Sequence, residues 1–482
     1  LSDIKIDKVN EVYNRVQCDD MGIIMELFQF FSFYVPGYKF IPSYRAKLWD
    51  GKIRLLDANT GRIYAGLEKY IEVFAKERGY SIEFLYDNSA VNFSVAEAQE
   101  FLSQQKFTLE PRDYQVSAFV DAVRYNRCLF LSPTASGKSF IIYMILRYYL
   151  KTTLLIVPTT SLVHQMYSDF ADYGFNSDKY CHKIYQGQDK ETDKPVTIST
   201  WQSLYKLPKQ WFDRYDVVIG DEAHLFKSKS LSNIMSKLTD CRYRYGFTGT
   251  LDGTKTHKLV LEGLFGPVNQ VTTTKKLMDE EHLADFKIKI ISLTYSDQNK
   301  KEINALTYQN EMDFLVSHEG RNNFIKNLAM SLEGNTLLLF QYVDKHGKIL
   351  YNMINDIAKD RKVFFVYGGV SGEERDEIRK IVEEENDAII IASYGTFSTG
   401  VNIRNLHSVI FASPSKSKIR NLQSIGRSLR KSSTKEKAVL YDIADDLTWK
   451  KSLNFTMRHL IERVKIYDEE EFEYKFYKVG VE

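Results

Sequence analysis

The segment from Arg127 to Ser139, an arginine followed by CLFLSPTASGKS, restricts what this chain can fold into more than any other. Cys128, Leu129, Phe130 and Leu131 form a short apolar run that reads as a buried parallel strand. The run breaks into small residues, Ser132-Pro133-Thr134-Ala135-Ser136-Gly137, then into Lys138-Ser139 and a helical pattern through Phe140, Ile141, Met144, Ile145 and Tyr148. Strand, tight loop and helix in that order can cradle a phosphate. Loop amides and the helix N-terminus point at the oxygens, Lys138 brings a point charge, and the Ser139 hydroxyl can ligate Mg²⁺. The loop departs from the G-x-x-x-x-G-K-[ST] pattern, with Ser132 where the first glycine is expected. Taken alone, a Gly-Lys turn between a core strand and a helix is the other reading.

At 482 residues and 44% apolar content, the chain has room for about three domains and a real core. It contains no apolar run of about 18 residues, so no membrane partner is expected. The first residues, LSDIKIDKVNEV, are too charged for a signal peptide's apolar segment. Cys18, Cys128, Cys181 and Cys241 are scattered without C-x-x-C spacing, which argues against a disulfide framework and a zinc site and for a reducing, cytoplasmic compartment. Net charge is only +2, so affinity for nucleic acid must come from local patches.

Residues 1–110 form a candidate module of their own. Tyr38 to Leu67 alternates in short strand-like pieces around two turn signals, Asp50-Gly51 and Asn59-Thr60-Gly61, which reads as a hairpin. Helical patterns follow at Glu68–Arg78 and Ser94–Gln105. The hairpin carries Lys39, Arg45, Lys47, Lys52, Arg54 and Arg62 against Asp50 and Asp57, with Trp49, Tyr38, Tyr44 and Tyr64 among them. Cations beside rings that can stack on bases suit nucleic acid. A solvated face with its aromatics packed inward is the other reading.

The middle of the chain supplies what a phosphate loop needs for chemistry. Pro111-Arg112-Asp113-Tyr114-Gln115 precedes the loop by about one helix, and a Gln amide can pair with adenine N6 and N7. Further buried strands are expected at Thr152–Val157, ending at Pro158-Thr159, and at Val196–Thr200. The run Tyr215–Gly220 leads into Asp221-Glu222-Ala223-His224. An acidic pair at a strand end suits ATP hydrolysis, with Asp221 holding Mg²⁺ and Glu222 orienting and deprotonating the attacking water. Another strand, near Tyr243–Phe247, ends in Thr248-Gly249-Thr250, hydroxyls suited to coupling the site to something that moves.

These motifs, in this order, resemble those of superfamily 2 helicases, and the second half of that set follows. Thr336–Tyr342, Val363–Tyr367, Ala388–Ser393 and Ser408–Ser413 read as strands. Tyr394 to Asn402 reads YGTFSTGVN, and Gln423-Ser424-Ile425-Gly426-Arg427-Ser428-Leu429-Arg430 matches Q-x-x-G-R-x-x-R. Arg427 and Arg430 share one helix face and can stabilise the charge of a transferring phosphoryl group, as arginine fingers do. The stretch from Arg404 to Lys437 holds nine Lys/Arg and one acid, Glu436. The resemblance spans roughly Pro111 to Ile443, with Ser132, Ala135 and the Thr-Gly-Thr as departures, and extends to type III restriction motors and excision-repair helicases.

It implies an α/β architecture of two RecA-like parallel-sheet lobes, at 111–275 and 276–450, preceded by the small α+β domain at 1–110. A C-terminal helical extension is expected at 451–482, and an amphipathic helix at Asn310–Met330. Lys138, Asp221, Glu222, Gln423, Arg427 and Arg430 are implied as catalytic. Arg112, Gln115, the loop residues Pro133, Thr134, Ala135, Ser136, Gly137, Lys138 and Ser139, and Gly400 and Asn402 are implied as ATP contacts, with Ser139 and Asp221 on Mg²⁺. The activity implied is ATP-driven unwinding or branch migration of branched DNA (forks, four-way junctions and RNA–DNA hybrids) by a monomer. A binding or annealing protein that uses ATP only as a switch is the alternative, and it would not need the full hydrolytic set.

Overall fold

The computed structural model describes residues 2–251, 253–304, 307–396, 403, 405–413 and 437–481. Gly400, Asn402, Gln423, Arg427 and Arg430 lie outside these residues, as does most of the basic stretch from Arg404 to Lys437. The chain divides into two compact units, residues 1–132 with 137–272, and residues 133–136 with 273–482.

The first unit begins with β1 (Ile4–Lys8), β2 (Tyr13–Gln17), β3 (Ser32–Tyr34), β4 (Lys52–Arg54), β5 (Arg62–Tyr64) and β6 (Ile82–Phe84). Four of these form a mixed sheet in the order β5-β2-β1-β6. The other two, β3 and β4, make a separate antiparallel ribbon. The expected hairpin over Tyr38–Leu67 is largely corrected: β4 pairs with β3 and β5 with β2, and an isolated antiparallel bridge, Leu56 to Ile63, closes the turn between β4 and β5. Tyr38–Phe40 and Pro42–Arg45 are helical turns on the long connection of the ribbon, with Pro42 at the first position of its turn, where its missing N–H costs nothing. Helices at Glu68–Arg78 and Val95–Gln104 follow the expected patterns.

Next come β7 (Arg127–Leu131), β8 (Thr153–Val157), β9 (Cys181–Ile184), β10 (Val196–Thr200), β11 (Val217–Asp221), β12 (Tyr243–Thr248) and β13 (Val268–Gln270). They build an all-parallel sheet in the order β13-β7-β12-β11-β8-β10-β9. Helices cover both faces of such a sheet, and every residue of β8, β10 and β11 is accordingly buried. The N-terminal sheet shares one apolar core with this lobe, running from Ile4, Leu27 and Phe74 to Leu129, Leu259 and Phe265. Backbones meet there: a Cβ on Gly66 would lie 2.0 Å from the Glu262 carbonyl oxygen, so only glycine fits. The Tyr70 hydroxyl donates to Glu262 Oε2 (2.6 Å), and Arg127 donates to the Glu11 carbonyl (2.8 Å).

The second unit holds β14 (Asp285–Thr294), β15 (Thr336–Phe340), β16 (Val363–Val366), β17 (Ile389–Ser393), β18 (Ser408–Phe411), β19 (Lys437–Asp446) and β20 (Tyr474–Gly480). These also run parallel throughout, in the order β16-β17-β15-β18-β19-β14-β20. Two RecA-like lobes and a small N-terminal α/β region are thus present, as expected. Two local expectations are corrected. The segment beyond residue 451 is a helix, Phe455–Glu469, and then β20, an edge strand beside β14. Asn310–Met330 is two helices, Tyr308–Ser317 and Glu319–Ser331, because the extended His318 caps the second by accepting from the Arg321 N–H.

That break aims Arg321 inward, where it is 1% exposed and holds Asp445 through Nε (2.7 Å) and Nη2 (3.0 Å). The Tyr295 hydroxyl also donates to Asp445 (2.7 Å), and Arg321 Nη2 donates to the Ala412 carbonyl (2.7 Å). Removing one partner of a buried pair strands the other's charge. Arg321→Ala is expected to destabilise the second unit by about 3–5 kcal/mol in urea unfolding. A loss below about 1 kcal/mol would show that the pair adds little beyond an exposed ion pair.

Candidate functional site

Parallel strands deliver their following loops to one edge of the sheet, and in the first lobe that edge collects the expected motifs. Between β7 and the acidic end of β11 lies one strand, β12. At ordinary strand spacing the two are roughly 10 Å apart, a gap a lysine can span. Lys138, first residue of the helix Lys138–Tyr149, does so: its Nζ lies 3.7 Å from Asp221 Oδ1 and 3.6 Å from Glu222 Oε1. Burial works against the Lys138 charge, but Glu222 and Asp221 outweigh it and raise its pKa. Burial likewise pushes the Asp221 carboxyl above the usual carboxylate range, with Lys138 opposing.

The loop closes despite its departures from the glycine pattern. Ala135 takes a left-handed conformation (φ 67°), as Gly137 does (φ 79°), which costs an alanine about 1–2 kcal/mol. Ser132 is buried, and its N–H continues the ladder to the Thr248 carbonyl (2.8 Å). Ser136, also buried, donates to the Pro133 carbonyl (2.6 Å), while Pro133 is buried and Thr134 half-buried. Gln115 reaches this loop: a Cβ on Gly137 would meet its Nε2, the movable end of that side chain, at 2.4 Å, and it is the positive φ of Gly137 that favours glycine there. Its Oε1 accepts from the Arg112 N–H (3.0 Å), and the Arg112 guanidinium donates to the Tyr114 hydroxyl (2.7 Å). The structure thus brings Arg112, Gln115, Gly137, Lys138, Ser139, Asp221 and Glu222 to the same end of one lobe.

Glu222 also sits in the left-handed region (φ 50°), strain of about 1–3 kcal/mol of the kind kept at working sites. That twist ends β11 and turns the chain into the short helical segment Ala223–Lys227. His224, 8% exposed, places Nδ1 3.4 Å from Glu222 Oε2 and 3.0 Å from Thr248 Oγ1. Thr248 Oγ1 also lies 2.9 Å from the Thr250 carbonyl, to which it can donate, an arrangement that suits a proton on His224 Nδ1. Sequence reasoning gave His224 no separate task. Its place two residues after Glu222 was the available signal. It had no signal for Tyr173, whose hydroxyl lies 2.7 Å from Ser139 Oγ.

A lysine between two carboxylates, under a loop and a helix N-terminus at the end of a parallel sheet, defines a class: nucleoside-triphosphate-driven motors with RecA-like lobes. Known proteins agree. Residues 3–85 match the family "DNA helicase UvsW, N-terminal", 108–253 "Type III restriction enzyme, res subunit" and 320–432 "Helicase conserved C-terminal domain". The chain is 36% identical to the ATP-dependent DNA helicase uvsW of Enterobacteria phage T4, over 98% of each sequence. It is 25% identical to the DNA 3'-5' translocase XPB2 of Sulfurisphaera tokodaii, over 76% of this chain and 88% of that one. The crystal structure of T4 UvsW covers 99% of both chains at 35% identity and a TM-score of 0.53. The chain belongs to the UvsW family of superfamily 2 helicases, and it is an ATP-dependent helicase.

Proposed function

We propose that this helicase unwinds or branch-migrates branched DNA, including forks, four-way junctions and RNA–DNA hybrids, and that the lobe-one site supplies its ATP hydrolysis. The observation that carries the catalytic part is Lys138 poised between Asp221 and Glu222. Lys138 meets the phosphates, Glu222 orients and deprotonates the attacking water, and Gln423, Arg427 and Arg430 complete the set. Arg112, Gln115, the loop, Gly400 and Asn402 hold the nucleotide. Ser139 and Asp221 fit a hard divalent cation such as Mg²⁺: both offer oxygen, and among the described residues buried Asp221 Oδ1 has no hydrogen-bond donor, only the Lys138 ammonium at 3.7 Å. Bound there, the ion would neutralise phosphate charge. ATP turnover measured with no nucleic acid, single strands, duplex and a four-way junction tests the reading. Equal turnover on all four would favour an ATP-switched binding protein.

The division into 1–110, 111–275, 276–450 and 451–482 is kept as a proposal for separate tasks, the first part reading the branch. Its support is the connection between β3 and β4. There Tyr34 stacks on Tyr38 (4.5 Å), Lys52 Nζ lies 4.9 Å over Tyr34, and Lys39 Nζ lies 5.9 Å over Tyr38. Trp49, a candidate for base stacking, is half-buried and its indole N–H donates to the Lys52 carbonyl (2.9 Å). Arg54 pairs with Asp50. The exposed apolar side chains are instead Phe40 (75%) and Leu48 (83%), which better suit contact with a base. Because this part shares a core with lobe one, deleting it would expose apolar surface, so surface substitutions test it better. Lys39→Glu with Lys52→Glu is expected to weaken junction binding and cut the salt slope by about 2. Unchanged junction binding in a double variant with a wild-type melting curve rejects this surface.

A further inference from the structure

We propose that Tyr173 is the positioning residue for Ser139, fixing the hydroxyl that the nucleotide-bound cation meets. The inference rests on the reading of Ser139 as a metal ligand. A serine in the first turn of a helix has three staggered rotamers and can turn its hydroxyl toward nearby backbone instead of the loop. Tyr173 removes that freedom. Its hydroxyl is 2.7 Å from Ser139 Oγ, a contact across 34 residues of chain.

The ring itself is held. It packs edge-on against Phe140 at 5.0 Å and tilted against Tyr143 at 5.5 Å, both on the helix whose first turn holds Ser139. Its own N–H caps the helix Thr160–Asp172 by donating to the Asp169 carbonyl (3.0 Å). A rigid phenol is therefore set against a mobile hydroxyl. Serine oxygen has two lone pairs and one proton, and tyrosine can take either role. When a cation draws on one lone pair, the Ser139 hydroxyl can still donate its proton to the Tyr173 oxygen, which keeps it oriented. This is how outer partners of metal ligands work, and losing one typically costs 10–100-fold in metal affinity.

Tyr173→Phe keeps the ring and deletes only the hydroxyl. In the full chain, binding of a fluorescent ATP analogue in EDTA is expected to match wild type. The Mg²⁺ concentration giving half of the metal-dependent tightening is expected to rise about 10-fold or more. In a Ser139→Ala background the same change should add no further shift. An unmoved Mg²⁺ midpoint in Tyr173→Phe, with Ser139→Ala shifted, overturns this inference alone. An unmoved midpoint in Ser139→Ala overturns the metal-ligand reading and this proposal with it. A Tyr173→Phe defect of equal size in EDTA shows packing only, and also overturns it.

Discussion

Lys138→Ala and Glu222→Gln are each expected to lower ATP turnover by on the order of 10²–10⁴-fold, and by different routes. The lysine is the one cation lying within 4 Å of both acids among the described residues, and a triphosphate entering there meets its ammonium. Without it, two carboxylates face an incoming anion, so nucleotide affinity should fall along with turnover. The variant should still fold. Asp221, 3% exposed and already raised by burial, can take up a proton rather than keep a bare buried charge. Glu222→Gln would remove the proposed base and keep its shape. ATP should then bind at near wild-type affinity and persist, which a fluorescent analogue and a single-turnover chase would separate. Brisk hydrolysis by the glutamine variant would mean that another group takes the proton from water.

Arg430→Ala is expected to cost on the order of 10³-fold or more in turnover with a much smaller change in ATP affinity. The charge an arginine finger meets develops mainly in the transition state, so its loss appears in the rate rather than in binding. Arg427 lies three residues earlier on the same helix face in the sequence pattern, and its alanine variant should behave alike if it is the one that reaches the γ-phosphate. In the sequence both arginines stand between β18 and β19. Arg430→Lys separates charge from geometry, because a lysine keeps the point charge without the planar fork. Normal hydrolysis in both alanine variants would remove the second-lobe arginines from the proposed site.

Much of the architecture was legible because a parallel strand buried on both faces must be a short apolar run. Thr153–Val157, Ile389–Ser393 and Ser408–Phe411 announce themselves in that way. The phosphate loop and the acidic pair were legible for a similar reason: residue type and spacing are set by the chemistry. The edge strand β20 was not, since Tyr474–Gly480 is mostly exposed and reads as a charged tail. The helical turns at Tyr38–Phe40 and Pro42–Arg45 were hidden by residues equally at home in a strand.

The sequence by itself determined the class of the protein and singled out residues that the structure brings together in lobe one, because local spacing carries both. Only the tertiary structure decided who touches whom. Gln115 against Gly137, His224 between Glu222 and Thr248, Tyr173 on Ser139 and Gly66 under Glu262 each join residues that the chain holds apart or turns by a backbone twist. Such contacts depend on strand order and side-chain direction, which the three-dimensional packing of distant segments sets and no local pattern encodes.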